Sequence, residues 1–213
     1  MKGQRGRIGP CEGPEGARSG HHAFFDRAAQ NWDTHPDPGA EGRLAGLVAR
    51  MALRPGMRVL DVGTGTGILV PRLWNAMEGR GSIVAFDFSL EMLRQAQCKH
   101  VRASLLQAQA KDLPFREGSF DYAICNAVFP HLPEKDEALA ELSRVLRGSG
   151  RLAISHAWSR QHVNMFHQSV GGAVAQDRLP DEAEMHRLLS PAGFGEIHIW
   201  DEKDRYLALA RKA

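Results

Sequence analysis

The hydrophobic pattern divides the chain into short apolar runs separated by amphipathic segments. Leu44, Leu47, Val48 and Met51 recur at the i, i+3, i+4 and i+7 spacing of a helix that buries one face. From residue 58 onward, nearly continuous apolar runs alternate with helical patterns, and such runs are typical of strands covered on both faces. This alternation predicts parallel strands joined by right-handed crossovers.

The same pattern gives the expected bounds of the elements. Strands are expected at 58–62, 82–86, about 103–107, 120–125 and 151–155, and helices at 24–32, 44–51, 68–77, 90–98 and 134–146. Asp181 and Glu184 have the spacing of a helix-starting cap, and Gly193 is placed to end that helix. Residues 196–200 and 205–209 alternate in polarity and predict a closing hairpin. The expected fold class is α/β, a Rossmann-like three-layer αβα sandwich whose seven-stranded sheet is mostly parallel, with an antiparallel C-terminal hairpin.

Length and composition favour a single domain. The 213 residues suffice for one well-buried core, and the interior shows no break in composition. We therefore expect one domain at 23–213, with N-terminal helices at 23–55. Residues 1–22 lack the apolar core of a secretion signal and are expected to form a flexible leader. No run of about 18 apolar residues occurs, which predicts a cytoplasmic protein without a membrane span.

Charge and cysteine content exclude several classes of protein. The chain has 27 Lys and Arg against 25 Asp and Glu, and the excess of two lies in residues 1–22. A neutral body argues against a nucleic-acid partner, because such affinity depends on clustered Lys and Arg. Cys11, Cys98 and Cys125 are odd in number and lack C-x-x-C spacing, so neither a disulfide framework nor a zinc site is indicated.

A glycine-rich turn, Asp61-Val-Gly63-Thr-Gly65-Thr-Gly67, follows the first predicted strand. Glycine at these positions lets backbone N–H groups approach a ligand closely, although a ligand-free tight turn would have the same composition. Nicotinamide-cofactor folds prefer G-x-G-x-x-G, which would require glycine where this chain has Ile68. Ile68 therefore argues against an NAD(P)-dependent oxidoreductase, which is kept as the second hypothesis because the glycine turn and a ribose-binding acid would suit it too.

An acidic residue, Asp87, follows the next predicted strand and lies 20 residues beyond Gly67. A carboxylate in this place can accept hydrogen bonds from both hydroxyls of a ribose. It indicates a nucleoside without deciding whether that nucleoside belongs to a nicotinamide cofactor or to S-adenosylmethionine. The alternative is that Asp87 only starts the following helix.

Three motifs in order carry a family resemblance. They are Val59-Leu-Asp-Val-Gly-Thr-Gly-Thr-Gly67, Ala85-Phe-Asp87-Phe-Ser89-x-x-Met92-Leu93 and Asp112-Leu-Pro-Phe115-x-x-x-x-Phe120-Asp121. Their order and spacing resemble class I S-adenosylmethionine-dependent methyltransferases, especially the small-molecule group that includes the ubiquinone and menaquinone biosynthesis C-methyltransferases. The resemblance covers about residues 24–155.

The resemblance implies transfer of a methyl group from S-adenosylmethionine to a small-molecule acceptor, with release of S-adenosylhomocysteine. It also implies that Asp61 and the glycines hold the methionine part, Asp87 the ribose, and the loop before Leu113 the adenine. The candidate cofactor-binding residues are Asp61, Gly63, Gly65, Gly67, Asp87, Phe88, Met92, Gln109, Ala110 and Asn126. Gln109 departs from the family pattern, which has an acid there, but its carbonyl can accept the same hydrogen bond from adenine.

Histidines mark the expected acceptor side. Ligands of open α/β sheets lie beyond the carboxyl ends of the strands, which directs attention to residues after 125 and to the segment 156–180. His131 and His156 are placed to take a proton from the nucleophile and are the candidate catalytic residues. Either one could instead be an edge histidine that only shapes the pocket.

Two further hypotheses concern these histidines. His156, His162 and His167 admit a metal interpretation, but spacings of six and five residues do not suit one helical face, and no metal is expected. A non-catalytic nucleoside-binding module is the third functional hypothesis. It predicts unchanged behaviour when His131 and His156 are replaced by alanine.

Overall fold

The computed structural model describes residues 20–34 and 37–213. Residues 1–19, which are most of the expected leader and include Cys11, lie outside the described residues. The first helix begins at Gly20, so residues 20–22 of the expected leader form its first turn.

The described residues form seven α-helices and seven strands. The helices are α1 (Gly20–Ala28), α2 (Ala40–Arg50), α3 (Val70–Ala76), α4 (Leu90–Cys98), α5 (Lys135–Val145), α6 (Arg160–Val170) and α7 (Glu182–Leu189). The strands are β1 (Arg58–Val62), β2 (Ser82–Asp87), β3 (Ser104–Gln107), β4 (Phe120–Asn126), β5 (Leu146–His156), β6 (Phe194–Asp201) and β7 (Tyr206–Lys212). Short 3₁₀ turns occupy Ala29–Asn31, Phe129–His131 and Gly172–Val174.

All seven strands belong to one sheet in the order β3-β2-β1-β4-β5-β7-β6. The first five are parallel, whereas β7 runs antiparallel between β5 and β6. The predicted α/β class, with its mostly parallel seven-stranded sheet and antiparallel C-terminal hairpin, is therefore confirmed. Strand order reverses at β1, which pairs with β2 on one side and β4 on the other, and such a switch point opens a crevice for ligands.

Helices cover both faces of the sheet because successive strand residues point to opposite faces. Leu60 and Val62 of β1 belong to the core cluster that contains α5 and α7. Val59 belongs to the other cluster, which contains the apolar stripe of α2 and residues of α3. The stripe residue Leu47 has no exposed surface, as expected for an amphipathic helix. None of the helices described is long and apolar enough to cross a membrane.

Beyond shifts of a few residues at the ends of other elements, two elements differ from the pattern-based expectation. Strand β5 begins at Leu146 rather than at 151, because Leu146 pairs with Phe120 across a bulge and the chain enters the sheet directly from α5. Helix α6 was not predicted, because Val163 and His167 are its buried residues and its remaining positions are partly or fully exposed. Ser159 starts this helix by accepting a hydrogen bond from the backbone N–H of His162.

Candidate active site

The predicted site residues lie at one edge of the sheet, where the parallel strands end. On the nucleoside side, Asp61 lies in β1 just before the glycine turn, and Asp87 ends β2 just before Phe88 and Met92. Gln109 and Ala110 follow β3, and Asn126 ends β4. On the acceptor side, His131 lies in the 3₁₀ turn beyond β4, and His156 ends β5. The fold thus places the two expected halves of the site, nucleoside side and acceptor side, on the same edge of adjacent strands.

The three glycines of the turn have left-handed backbone conformations for different reasons. A Cβ on Gly63 would clash with Val128 Cγ2, and one on Gly67 would lie 2.7 Å from Val101 Cγ1. Gly65 has φ of +55°, yet among the described residues its Cβ would meet only the Met92 sulfur, at 4.0 Å. Packing therefore requires the outer glycines, whereas at Gly65 the backbone borders open space that a ligand can approach.

Asp61 is a buried carboxyl group at the end of β1. It is 1% exposed, and its Oδ2 accepts a hydrogen bond of 2.7 Å from the Thr64 hydroxyl. Burial raises the pKa of Asp61 to about 7, and the charge of Asp87 adds to the rise, while the Thr64 bond opposes it. A carboxylate in this environment is stabilised by a cation placed beside it.

Asp87 connects the glycine turn with the start of α4. Its Oδ2 accepts from the Gly65 N–H at 2.8 Å, and its Oδ1 accepts from the Ser89 N–H at 2.9 Å. Burial raises the pKa of Asp87 to about 6 against these hydrogen bonds. The residue that caps α4 is Ser89, whose hydroxyl accepts from the Met92 N–H. Asp87 is therefore not the cap of that helix, and each carboxylate oxygen has lone-pair capacity for a further donor.

The loop after β3 is held firmly at one end and exposed at the other. Gln109 is exposed and forms a short bridge with Asp112, while Ala110 is buried. The Leu113 N–H donates to Glu141, and Arg144 of the same helix donates to the Leu113 carbonyl. Gln109 is thus exposed in this loop, while residues further along it are tied to α5.

Helix α1 covers the edge between the two halves of the site. The Phe25 ring packs edge-on against Phe88, with centroids 5.7 Å apart, and against His131, with centroids 5.0 Å apart. Asp26 accepts a hydrogen bond of 2.6 Å from the Ser89 hydroxyl. The aromatic residues of this helix thus form an apolar wall over both the Asp87 side and the histidine side.

Five histidines and one aspartate form what we call the histidine cluster. Its members are His21, His131, His156, His162, His167 and Asp177. His131 Nδ1 donates to Asp177 Oδ2 at 2.6 Å, and His21 Nε2 lies 3.0 Å from both oxygens of the same carboxylate. The His131 and His167 rings have centroids 4.6 Å apart. The cluster therefore joins α1, the turn after β4, α6 and the segment before α7.

The two predicted catalytic histidines are uncharged near neutral pH. Burial lowers the pKa of His131, although its hydrogen bond to Asp177 opposes the shift. Burial also lowers the pKa of His156 to about 3, helped by the neighbouring rings of His167, His131 and His162. His156 is partly exposed, but its Nδ1 is buried and has no hydrogen-bond partner among the described residues. Both rings can accept a proton or a hydrogen bond from a ligand.

Trp158 packs against two histidines of the cluster. Its ring stacks on His156 with centroids 5.7 Å apart and lies 4.5 Å from the His162 ring. Its indole N–H donates to Asp37 at 2.7 Å, which fixes the ring in place. Within residues 20–34 and 37–213, no group of three or more His, Cys, Asp or Glu side chains is arranged to hold a metal ion.

Comparison with known proteins agrees with this geometry. Residues 60–154 match the methyltransferase domain family. The chain is 28% identical over 188 residues to the ubiquinone/menaquinone biosynthesis C-methyltransferase of Shewanella frigidimarina, and the match covers 75% of each protein. It is 32% identical over 159 residues to the malonyl-[acyl-carrier protein] O-methyltransferase of Pseudescherichia vulneris, covering 68% of this chain and 62% of that protein.

A solved structure has the same fold. An S-adenosylmethionine-dependent methyltransferase from Aquifex aeolicus superposes with a TM-score of 0.70 at 24% identity, covering 88% of this chain and 98% of that one. This chain is a class I S-adenosylmethionine-dependent methyltransferase. Its cofactor is S-adenosylmethionine, so the oxidoreductase and the non-catalytic module are set aside.

Two residues of the methyltransferase's histidine cluster were absent from the sequence-based site. Asp177 lies in the predicted acceptor-side segment 156–180, but no motif or spacing singles it out. His21 falls within the expected leader, whereas the structure places it in α1 and against Asp177. The only sequence signal available for either residue was its nearness to segments that already contained candidate residues.

Proposed function

We propose that this methyltransferase transfers its methyl group to a small-molecule acceptor bound against the histidine cluster. The observation that carries the proposal is the pair of uncharged imidazoles, His131 and His156, at the same sheet edge as the buried carboxyls Asp61 and Asp87. One half of the edge suits a cationic nucleoside, and the other half suits a nucleophile that has to lose a proton.

We assign the cofactor to the first half of the edge. Asp61 and the glycine turn hold the methionine part, Asp87 takes the ribose hydroxyls, and the loop at Gln109 and Ala110 borders the adenine. The complete proposed set is Asp61, Gly63, Gly65, Gly67, Asp87, Phe88, Met92, Gln109, Ala110 and Asn126. In support, Gly65 borders open space, and Asp87 lies within hydrogen-bond distance of the turn backbone.

The proposed reaction is an in-line displacement at the sulfonium methyl group. The nucleophile of the acceptor forms a bond to the methyl carbon while the carbon–sulfur bond breaks and its electron pair stays on sulfur, which yields neutral S-adenosylhomocysteine. The nucleophile's proton passes to an imidazole nitrogen, for which His131 is the first candidate because its ring is oriented by Asp177. His156, whose buried Nδ1 has no hydrogen-bond partner within residues 20–34 and 37–213, is proposed to hydrogen-bond the acceptor.

Burial and charge favour a small acceptor over a macromolecule. The side chains of His131 and Asp177 are both 11% exposed, so the reacting group must enter a recess. Outside residues 1–22 the chain carries equal numbers of basic and acidic residues, which argues against a nucleic-acid partner. We propose accordingly a small-molecule partner, no nucleic-acid partner and a cytoplasmic location.

An acceptor screen tests this proposal directly. The purified enzyme is incubated with S-adenosylmethionine and a panel of small hydroxyl, thiol, amine and carbon nucleophiles, and S-adenosylhomocysteine release is measured. Transfer RNA and an unfolded protein serve as macromolecular arms of the same assay. Release with at least one small compound is the expected result. Release with a macromolecule alone would overturn the small-molecule assignment.

Replacement of Asp87 by alanine is expected to weaken S-adenosylmethionine binding by about 1.5–3 kcal/mol, the range for losing hydrogen bonds to a charged group. Titration calorimetry on the folded variant measures the loss. Asp204→Ala, which removes an exposed carboxylate between β6 and β7, is the matched control and should bind normally. Wild-type affinity in Asp87→Ala would refute the ribose assignment.

A further inference from the structure

Asp177 contacts three of the five histidines in the histidine cluster. It lies between α6 and α7, its side chain is 11% exposed, and it contacts histidines from three separate parts of the chain. We propose that Asp177 is a positioning residue, whose side chain and main chain hold His131 and His167 in the tautomer that carries its proton on Nδ1. This proposal deepens the proposed function and rests on it for the role of His131.

The tautomer of His131 follows from the nature of its partner. A carboxylate oxygen can only accept, so the 2.6 Å contact requires that His131 Nδ1 carries the hydrogen. Burial opposes ionisation of Asp177, but hydrogen bonds from His131 and His21 keep its pKa below the ordinary value. Burial lowers the pKa of His131, so the contact joins a neutral imidazole to a carboxylate. The Nε2 of His131 is then a lone-pair acceptor.

His167 is held in the same tautomer by a different atom of the same residue. Its Nδ1 lies 2.9 Å from the main-chain carbonyl oxygen of Asp177, which also can only accept. His167 is 6% exposed and lies on the buried face of α6, so the ring has little freedom to turn. In its neutral form this ring, like that of His131, has an unprotonated Nε2.

The rings of His131 and His167 lie close together. Both rings direct Nδ1 at Asp177, so both place Nε2 on the side away from it, and their centroids are 4.6 Å apart. Two acceptors without a donor between them cannot hydrogen-bond each other. They are complementary to a ligand that brings its own hydrogen, which points to an acceptor with a hydroxyl, enol or thiol nucleophile.

The other ionisable groups around His131 are consistent with this arrangement. His21 approaches from α1, His156 from the end of β5, and His167 from α6, while Lys135 of α5 is close enough to interact with Asp177. Lys135 donates to the carbonyls of Pro130 and Leu132, so its hydrogens are directed at the turn that carries His131. Asp177 is therefore the carboxylate that orients His131.

Nitrogen-detected NMR on histidine-labelled enzyme tests the tautomers without any acceptor. Signals are assigned with His131→Gln and His167→Gln. In the wild type, both rings are expected to be protonated on Nδ1 and not on Nε2. A wild-type His131 that is protonated on Nε2 would overturn the proposal without the need for any variant of Asp177.

Asp177→Leu supplies the decisive contrast because it removes the carboxylate and keeps the main-chain carbonyl. His131 is expected to shift toward the Nε2-protonated form, while His167 keeps its proton on Nδ1 and serves as an internal control for local folding. His21→Gln removes the other ring from the same carboxylate and should leave the His131 tautomer unchanged. An unchanged His131 signal in Asp177→Leu, with His167 also unchanged, would refute the role of the carboxylate.

A kinetic comparison separates this proposal from the proposed function. With a protic acceptor found in the screen, Asp177→Leu is expected to lower kcat by up to the factor lost in His131→Gln, with the KM for S-adenosylmethionine unchanged. Asp177→Glu, which restores a carboxylate, is expected to recover part of the rate. If the tautomers are as expected but no small molecule is methylated, the proposed function fails and the positioning role stands. Full kcat in Asp177→Leu would show that the positioning is irrelevant to catalysis.

Discussion

Replacing His131 with glutamine is expected to slow methyl transfer by about 10²- to 10⁴-fold at saturating S-adenosylmethionine, the usual contribution of a positioned general base. Glutamine preserves size and one hydrogen-bond acceptor but cannot take a proton at neutral pH. The measurement is kcat for S-adenosylhomocysteine release with an acceptor from the screen. Binding of S-adenosylmethionine, followed by calorimetry, should not change.

The pH profile of kcat, measured at saturating S-adenosylmethionine so that Asp61 does not contribute, gives an independent measure of the same group. A base must be unprotonated to act, so activity is lost as the pH falls through the pKa of His131. Because burial lowers that pKa, the acid limb should lie below about pH 6.5, the ordinary value for histidine. The remaining kcat of His131→Gln should not show this decline as the pH falls.

Two matched variants control for the loss of an imidazole. His198→Gln changes an exposed histidine on β6 and is expected to have no effect. His156→Gln removes the ring proposed to hydrogen-bond the acceptor, so it should raise the KM for the acceptor more than it lowers kcat. A full kcat in His131→Gln together with a large loss in His156→Gln would transfer the role of base to His156.

Local periodicity predicted most of the fold because it depends on neighbouring residues. Helix α4 has the expected bounds, since its buried residues Met92, Leu93 and Ala96 recur at helical spacing after the Ser89 cap. Strand β5 shows where this reasoning fails. Residues 148–150 have the composition of a turn, yet they continue a strand, because Leu146 has already paired with Phe120 across the sheet. No local pattern contains that pairing.

The candidate site likewise contains residues that local motifs indicate and residues that only the folded chain brings together. The position of the proposed cofactor half at one edge of the sheet could be predicted because Asp61, the glycine turn and Asp87 lie at fixed distances from strand ends, and their motifs are contiguous in sequence. The binding roles of these residues stay predictions. The orienting partner of His131 could not be predicted, because Asp177 is 46 residues away and reaches it through the packing of α6 and the segment before α7. His21 lies 156 residues from Asp177, and their contact depends on how α1 docks.

S-adenosylmethionine affinity is expected to rise steeply between about pH 5.5 and 7, and Asp61 is the cause. Burial raises the pKa of Asp61 to about 7, so below that pH the free enzyme carries this group mainly protonated. A cationic amino-acid part bound beside Asp61 favours the carboxylate, and binding must then release a proton. Affinity should fall about tenfold for each pH unit below 7 until the pKa of the bound state is reached.

Calorimetry in two buffers with different ionisation enthalpies counts the released protons. Asp87, whose pKa is raised to about 6, adds a pH dependence of its own to the affinity at lower pH, and this contribution has to be measured separately. Adenosine provides the matched ligand, because it carries the ribose and the base but lacks the amino-acid part. The affinity for adenosine should therefore change with pH through the titration of Asp87 but not through that of Asp61.

Asp61→Asn provides the matched variant, since asparagine can still accept the Thr64 hydrogen bond. The affinity of this variant for S-adenosylmethionine should hardly change with pH above about pH 6.

The raised pKa of Asp61 also affects folding stability. The folded state binds more protons than the unfolded chain between pH 3.8 and about 7, so the stability of the unliganded enzyme falls as pH rises through this window. Asp61→Asn should therefore raise the melting temperature at about pH 8 more than at about pH 5. If stability behaves in this way while wild-type affinity is independent of pH, Asp61 is a buried acid without a cation beside it, and the methionine part lies elsewhere.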